Sequence, residues 1–171
     1  KHESLVAKII MNEERLKSPN FWIKLGELAQ KKKQHKVAVT YFSRALELDK
    51  NSLNTLALRA ISHKSYGNFK AAIDDLNNAL CGSDDHAYCL KLRGTMFAQI
   101  GDYDSAIQDF NKIIEIGSAC DDIFYNMALA LKKKNKFEDS IKHYTKVTEE
   151  LTKLEKRYSA MTNMKKRTNV D

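Results

Sequence analysis

The chain has 171 residues, of which 43% are apolar and 30% charged, with only 6 glycines and one proline. So few turn formers exclude a β-sandwich or barrel and any collagen-like or Gly/Pro-rich disordered chain; the wealth of helix formers fits a water-soluble helical protein. The net charge of +7 gathers at the ends: residues 1–18 carry +1, 19–52 carry +4, 53–86 and 87–120 carry −1 each, 121–154 carry +1 and 155–171 carry +3. A nucleic-acid binder shows a continuous basic stripe, and this chain has none.

In chain order, residues 3–17 read as a helix with Leu5, Ile9, Ile10 and Leu16 apolar. Charges run through that stretch, so it does not fit a signal peptide, and no run of residues is long and apolar enough to span a membrane. The first residue is Lys1, which reads as a piece of a longer protein. Ser18-Pro19 then reads as a helix start, with Ser as the cap and Pro at the first helical position.

From there a 34-residue period organises the chain. Ala38, Ala72, Ala106 and Ser140 are spaced by it, as are Gly26, Ala60, Gly94 and Ala128, and Phe42, Leu76, Phe110 and Tyr144. Trp22, Leu56, Leu90 and Phe124 form a fourth ladder; His35, Phe69, Tyr103 and Phe137 form a fifth. Each unit carries two apolar stripes at helical spacing with a break between them. In the third unit Leu90, Leu92, Phe97 and Ile100 precede the break at Gly101-Asp102, and Tyr103, Ala106, Ile107 and Phe110 follow it. That pattern predicts a helix, a tight turn and a second helix. Gly94 and Ala106 are expected to face each other where the two helices cross, and Phe110 to fill space between units. The last stretch, residues 150–167, extends the helical pattern through Leu151, Leu154, Tyr158 and Met161, and its basic residues suit a water-facing cap.

These residues resemble the tetratricopeptide repeat family. Trp22, Leu25 and Gly26 match its W-x2-L-G opening, and Ala38, Phe42 and Ala45 match its A-x3-F-x2-A second helix. Ala29 and His63 stand where an aromatic is usual, and Lys50, Asp84, Ser118 and Thr152 stand in the slots of the family's proline. The resemblance implies an all-α, right-handed superhelical solenoid of helix-turn-helix repeats, with first helices lining the concave face. The expected organisation is an N-terminal flanking helix over 1–18 (a divergent repeat or a cap), four units at 19–52, 53–86, 87–120 and 121–154, and a C-terminal capping helix and tail over 155–171.

Nothing in the sequence assembles an enzyme. Six scattered glycines make no phosphate loop. Cys81, Cys89 and Cys120 fit no disulfide or zinc framework, and His86-x2-Cys89 reads as a loop entering a helix. The acidic pairs Asp74-Asp75, Asp84-Asp85, Asp121-Asp122 and Glu149-Glu150 read as solvated or capping groups near helix ends. Lys31–Lys33 with Lys36, and Lys132–Lys134 with Lys136, fall at the turns of the first and last units. The resemblance also suggests a carboxylate clamp of the chaperone-binding type, but the matching positions hold Ile23, Glu27, Leu58, Tyr88 and Leu92, which cannot bind a carboxylate.

The expected function is therefore a protein–protein interaction scaffold or adaptor, cytoplasmic, taking a protein or peptide partner in its concave groove. No cofactor, metal, small-molecule substrate or membrane insertion is expected. By register the groove comprises Asn20, Ile23, Asn54, Leu58, Ile61, Tyr88, Lys91, Leu92, Tyr125, Asn126 and Leu129, an apolar strip rimmed by amides. Packing against another part of the parent protein is the competing use of that face. A basic helical-repeat module for nucleic acid is the alternative from another class, disfavoured by the charge distribution.

Overall fold

Between the two helices of each repeat the backbone reverses on a residue in the left-handed region. In a computed structural model, which describes residues 16–82 and 84–168, Lys33, Gly67, Gly101 and Asn135 have φ of 58°, 86°, 88° and 60°. They too are 34 residues apart. After each, the next N–H returns to a carbonyl five residues back: Gln34 to Ala29, Asn68 to His63, Asp102 to Phe97 and Lys136 to Leu131, all at 2.9 Å. This closure satisfies carbonyls that a helix end would leave bare. Glycine adopts the conformation freely, whereas the Cβ of Lys33 meets its own carbonyl at a cost of about 1–2 kcal/mol. Lys33→Gly is therefore expected to stabilise the chain by about 0.5–1 kcal/mol, after the unfolded glycine's extra freedom is deducted. A urea midpoint equal to or below that of the wild type would contradict the turn assignment.

Eight helices occupy the described residues: α1 (Pro19–Lys31), α2 (His35–Leu48), α3 (Leu53–Ser65), α4 (Phe69–Leu80), α5 (Ala87–Ile100), α6 (Tyr103–Glu115), α7 (Asp121–Lys133) and α8 (Phe137–Thr168). Each packs on the next, and α1 also meets α3 as α5 meets α7. This is the stacked helix-pair solenoid that the repeat predicts, and among the described residues there is no strand. The helix of residues 3–17 falls almost wholly outside the described residues, and the tail after Thr168 does so entirely. No turn interrupts α8, so the second helix of the fourth pair and the C-terminal segment form one rod of 32 residues.

Local chemistry explains the helix starts. Asn68 and Asp102 accept the backbone N–H of Ala71 and Ser105, as capping side chains do. Ser18 departs from expectation: its side chain makes no capping bond, and its backbone carbonyl accepts the Phe21 N–H at 3.2 Å instead. Pro19 does hold the first helical position. His86 caps α5, its ring Nδ1 accepting the Cys89 N–H at 3.4 Å, while Cys89 points into the core. Those two residues therefore do not share an open face. Among the described residues no group of three or more His, Cys, Asp or Glu could hold a metal ion.

The close approach of paired helices also differs from the expected one. A Cβ on Gly94 would lie 2.8 Å from the Phe110 ring and 3.2 Å from Asp109 Cβ, so the partner of Gly94 is Phe110 of its own unit rather than Ala106. Gly26 meets Phe42 in the same way, at 2.4 Å. Phe42 and Phe110 thus fill the space left by a missing side chain within their own helix pair, and both are fully buried.

Candidate partner-binding groove

The first helices α1, α3, α5 and α7 carry all the residues predicted for the groove. Polar groups fasten these helices to one another. The Gln30 amide of α1 donates to the Leu58 carbonyl at 3.0 Å and to Ser62 Oγ at 2.8 Å, both on α3. Lys91 of α5 is paired with Asp122 of α7, whose carboxylate also accepts the Cys120 thiol at 2.7 Å. The hydrogen bond to Asp122 holds the Lys91 ammonium above its ordinary pKa. Burial pushes Asp122 upward, but the Cys120 and Lys91 contacts outweigh it and hold the carboxyl below its usual value. Lys91 is thus committed to a neighbouring helix.

The predicted residues differ in how open they are. Tyr88 and Tyr125 are each 51% exposed, and Leu129 is exposed beside them. Asn20 and Asn54 are exposed, whereas Ile23, Leu58, Ile61, Lys91, Leu92 and Asn126 are half-buried. Leu92 packs on the main core and Leu58 on the cluster of Ala29, Ala38 and Phe42. The open apolar part of the face is therefore Tyr88, Tyr125 and Leu129, towards the C-terminal half.

Behind the groove lies a feature that the sequence reading missed. Arg59 on α3 forms a two-pronged bridge to Asp75 on α4, Nε at 2.9 Å and Nη2 at 2.6 Å, and its Nη1 reaches Ser43 on α2 at 3.0 Å. One repeat later Arg93 does the same with Asp109, at 2.9 and 2.7 Å, and reaches Asn77 on α4 at 2.8 Å. Each arginine so ties together three helices from two successive pairs. Asp75, read as solvated or capping, is buried in this bridge. The signal was present: Arg59 and Arg93, Asp75 and Asp109, and Ser43 and Asn77 are all one period apart. In the end units the same positions hold Leu25 with Tyr41 and Met127 with His143.

His143 is the polar member of the last pair. Its ring stacks near Phe124 at 6.2 Å, and its buried Nδ1 has no hydrogen-bond partner. Burial pushes its pKa down, helped by Lys146 and Lys142 and opposed by Asp139. Burial also lowers His63, whose Nδ1 pairs with the Tyr66 hydroxyl at 2.6 Å. A histidine whose folded pKa lies below its unfolded one binds more protons when unfolded. Stability from both is therefore complete above about pH 6.5 and is lost as pH falls through the folded pKa values. His143→Phe keeps the aromatic contact and removes the titration. The variant's urea midpoint should fall less between pH 7.5 and 5.5 than that of the wild type; equal falls would mean that His143 is not held neutral.

The turns form a separate edge. Lys31, Lys32, Lys33 and Lys36 are exposed there, as are Lys132, Lys133 and Lys136, while Lys134 is paired with Asp104. Between these clusters the third turn carries Asp102 and Asp104, so the edge is not continuously basic.

Comparison with known proteins matches this architecture. The tetratricopeptide repeat profile fits residues 19–52, 88–118 and 121–150. The chain belongs to the tetratricopeptide repeat family. Its repeats are of the kind that generally mediates protein–protein interaction, typically as scaffolds without enzymatic activity. A TPR repeat-containing protein of Methanocaldococcus jannaschii is 24% identical over 70% of this chain and 21% of its own length. Hsp70-Hsp90 organizing protein 1 of Arabidopsis thaliana is 31% identical over 53% of this chain and 18% of its own length. The chain thus spans about a fifth of the length of these relatives. A crystal structure of MamA superposes with a TM-score of 0.78 at 21% identity, over 88% of this chain and 86% of that one. At that identity the likeness shows the fold alone. Among the described residues no helix is long and apolar enough to cross a membrane.

Proposed function

We propose that this chain is a cytoplasmic protein–protein interaction segment that takes an extended peptide or an amphipathic helix in its concave groove. The observation that carries this reading is the pair Tyr88 and Tyr125, half exposed on neighbouring first helices with Leu129 alongside. Tyrosines offer large, stiff contact area with a polar tip, and they dominate binding energy where they are central. The amides of Asn20, Asn54 and Asn126 are available to a partner's backbone. Lys91 and Asp122 neutralise each other, so the C-terminal half of the groove favours an apolar rather than a charged segment.

Part of the chain is similar to Hsp70-Hsp90 organizing proteins, but the carboxylate clamp does not come with that similarity. Ile23, Glu27, Leu58, Tyr88 and Leu92 supply neither the cations nor the amides that a terminal carboxylate needs. Shifted by one unit, the clamp positions hold Ala57, Ile61, Leu92, Asp122 and Asn126, of which Ala57 is buried and Asp122 is paired with Lys91, so that set takes no carboxylate either.

Affinity capture from a lysate of the source organism tests the groove. Tyr88→Glu with Tyr125→Glu alters exposed positions, so the fold should persist, and capture should fall roughly tenfold or more. These are better probes than Leu58 and Leu92, whose packing couples them to stability. Neutralising Lys31–Lys33 or Lys132–Lys134 should leave capture intact. If capture survives the tyrosine changes and is lost with the lysines, the basic edge is the binding face. A steep loss with salt would then point to nucleic acid.

A further inference from the structure

The turns of the first two units carry a concentrated positive charge that the chain itself does not balance. Lys31, Lys32, Lys33 and Lys36 are exposed at the first turn, and Lys70 is exposed beside the second. No acidic residue lies between Glu27 and Glu47 or between Asp49 and Asp74. Among the described residues none of these lysines is paired with a carboxylate, whereas Lys134 of the last turn is paired with Asp104. Part of this charge has a local reason and part has none. Lys31 closes α1, and the dipole favours a cation at a helix C-terminus. Lys36 lies in the first turn of α2, where a cation is disfavoured and no acidic residue offsets it. Lys33 holds a left-handed backbone, φ 58°, at a position that is glycine in the next two units. Two exposed lysines are thus kept where they cost stability, as happens at sites that serve binding.

The same two lysines line a shallow depression of about 320 Å³ with Gln34, His35, Val37 and Tyr66. Tyr66 comes from the second turn, so the depression bridges two units. Val37 is 43% exposed and Tyr66 37%. An apolar spot set among cations fits one apolar side chain flanked by acidic ones. Successive helices pack about 8–10 Å apart, so the two turns are separated by roughly 16–20 Å, the reach of about six extended residues. Two features weigh against other polyanions. A nucleic-acid strand needs a longer basic track, and Asp102 and Asp104 break this edge at the third turn. A membrane surface needs protruding apolar side chains, whereas Val37 and Tyr66 line a depression.

We propose that the first two turns bind an extended acidic segment of a partner protein, its carboxylates on Lys33 and Lys36 and one apolar side chain against Val37 and Tyr66. This site lies on the turn edge, apart from the groove, and a partner held in the groove does not depend on it.

The probe is a fluorescein-labelled peptide with one phenylalanine between two runs of three glutamates, added to the full chain at about 0.1 M salt and read by anisotropy. Lys33→Gln with Lys36→Gln should weaken its binding roughly tenfold. Lys132→Gln with Lys133→Gln, and separately Tyr88→Ser with Tyr125→Ser, should leave it within about twofold, because charges beyond a Debye length are screened. Val37→Ser should weaken the phenylalanine peptide about threefold and its alanine counterpart not at all. All these side chains are exposed, so the fold should persist in each variant. Equal losses from the two lysine pairs would overturn the proposal, since the attraction would then be one of general charge. So would loss with the tyrosine pair, no binding by the wild type at about 1 mM peptide, or tighter binding of phosphatidylserine vesicles or of a single-stranded oligothymidine of equal charge. Amide exchange of the wild type gives a reading that needs no variant: slowing by the peptide over residues 31–37 and 64–70 supports the site, and slowing along α5 and α7 instead refutes it.

Discussion

Arg93→Leu should lower the unfolding free energy by about 3–5 kcal/mol, among the largest effects of any single substitution in the chain. The reason is what remains. Asp109 is almost fully buried, and its carboxylate takes both prongs of the arginine. Burial already pushes the Asp109 carboxyl upward in pKa, with Arg93 pulling it back. Without Arg93 the group is left charged with no partner or is forced to protonate, and either way folding is penalised. The bridge also joins α5 to α6 and, through Asn77, to α4, so its loss loosens two successive pairs. Replacing both partners is a different matter. Arg93→Leu with Asp109→Tyr reproduces the Leu25 and Tyr41 found at the same positions of the first unit, and should recover most of the loss. A buried ion pair exchanged for packed apolar groups is often neutral. Urea unfolding of the two single variants and the double variant measures this. A single Arg93→Leu within about 1 kcal/mol of wild type would show that the bridge is solvated and contributes little.

The helix pairs were legible in the sequence because burial repeats with the chemistry: Ala38, Ala72 and Ala106 are all fully buried. The turn ladder was only half legible: Gly101 marked a break, but Lys33 and Asn135 take the same left-handed backbone as Gly67 and Gly101 without sharing their side-chain type. The Arg–Asp bridges were hidden for another reason. Charged residues inside an apolar period read as the solvated face of a helix, and only folding shows that Asp75 lies opposite Arg59, 16 residues away. Groove membership was readable from register, but openness was not. Neighbouring units half-bury Leu58 and Leu92 yet leave Tyr88 and Tyr125 open, a result of how the helices stack rather than of local pattern.

Gly94→Ala should destabilise the chain although alanine is the better helix former. The helix preference favours alanine by about 1 kcal/mol. Against it, the new Cβ would sit 2.8 Å from the Phe110 ring and 3.2 Å from Asp109 Cβ. Phe110 is fully buried, so its ring cannot swing aside, and overpacking of this kind costs about 1–3 kcal/mol. Gly26→Ala should be worse, since its Cβ would meet the Phe42 ring at 2.4 Å. Gly94→Leu should be worse still, with three further carbons to place. The second unit suggests the remedy. There Ala60 and Leu76 occupy the positions of Gly94 and Phe110, and both are fully buried. The smaller ring-free side chain makes room for a methyl group. Phe110→Leu alone should leave a cavity and cost about 1–2 kcal/mol. Gly94→Ala with Phe110→Leu should cost less than the two single changes together, with a coupling of about 1 kcal/mol or more. Thermal or urea unfolding of all four proteins closes the cycle. If the two costs simply add, the glycine and the ring do not share a site, and the helix pair of the third unit crosses somewhere else.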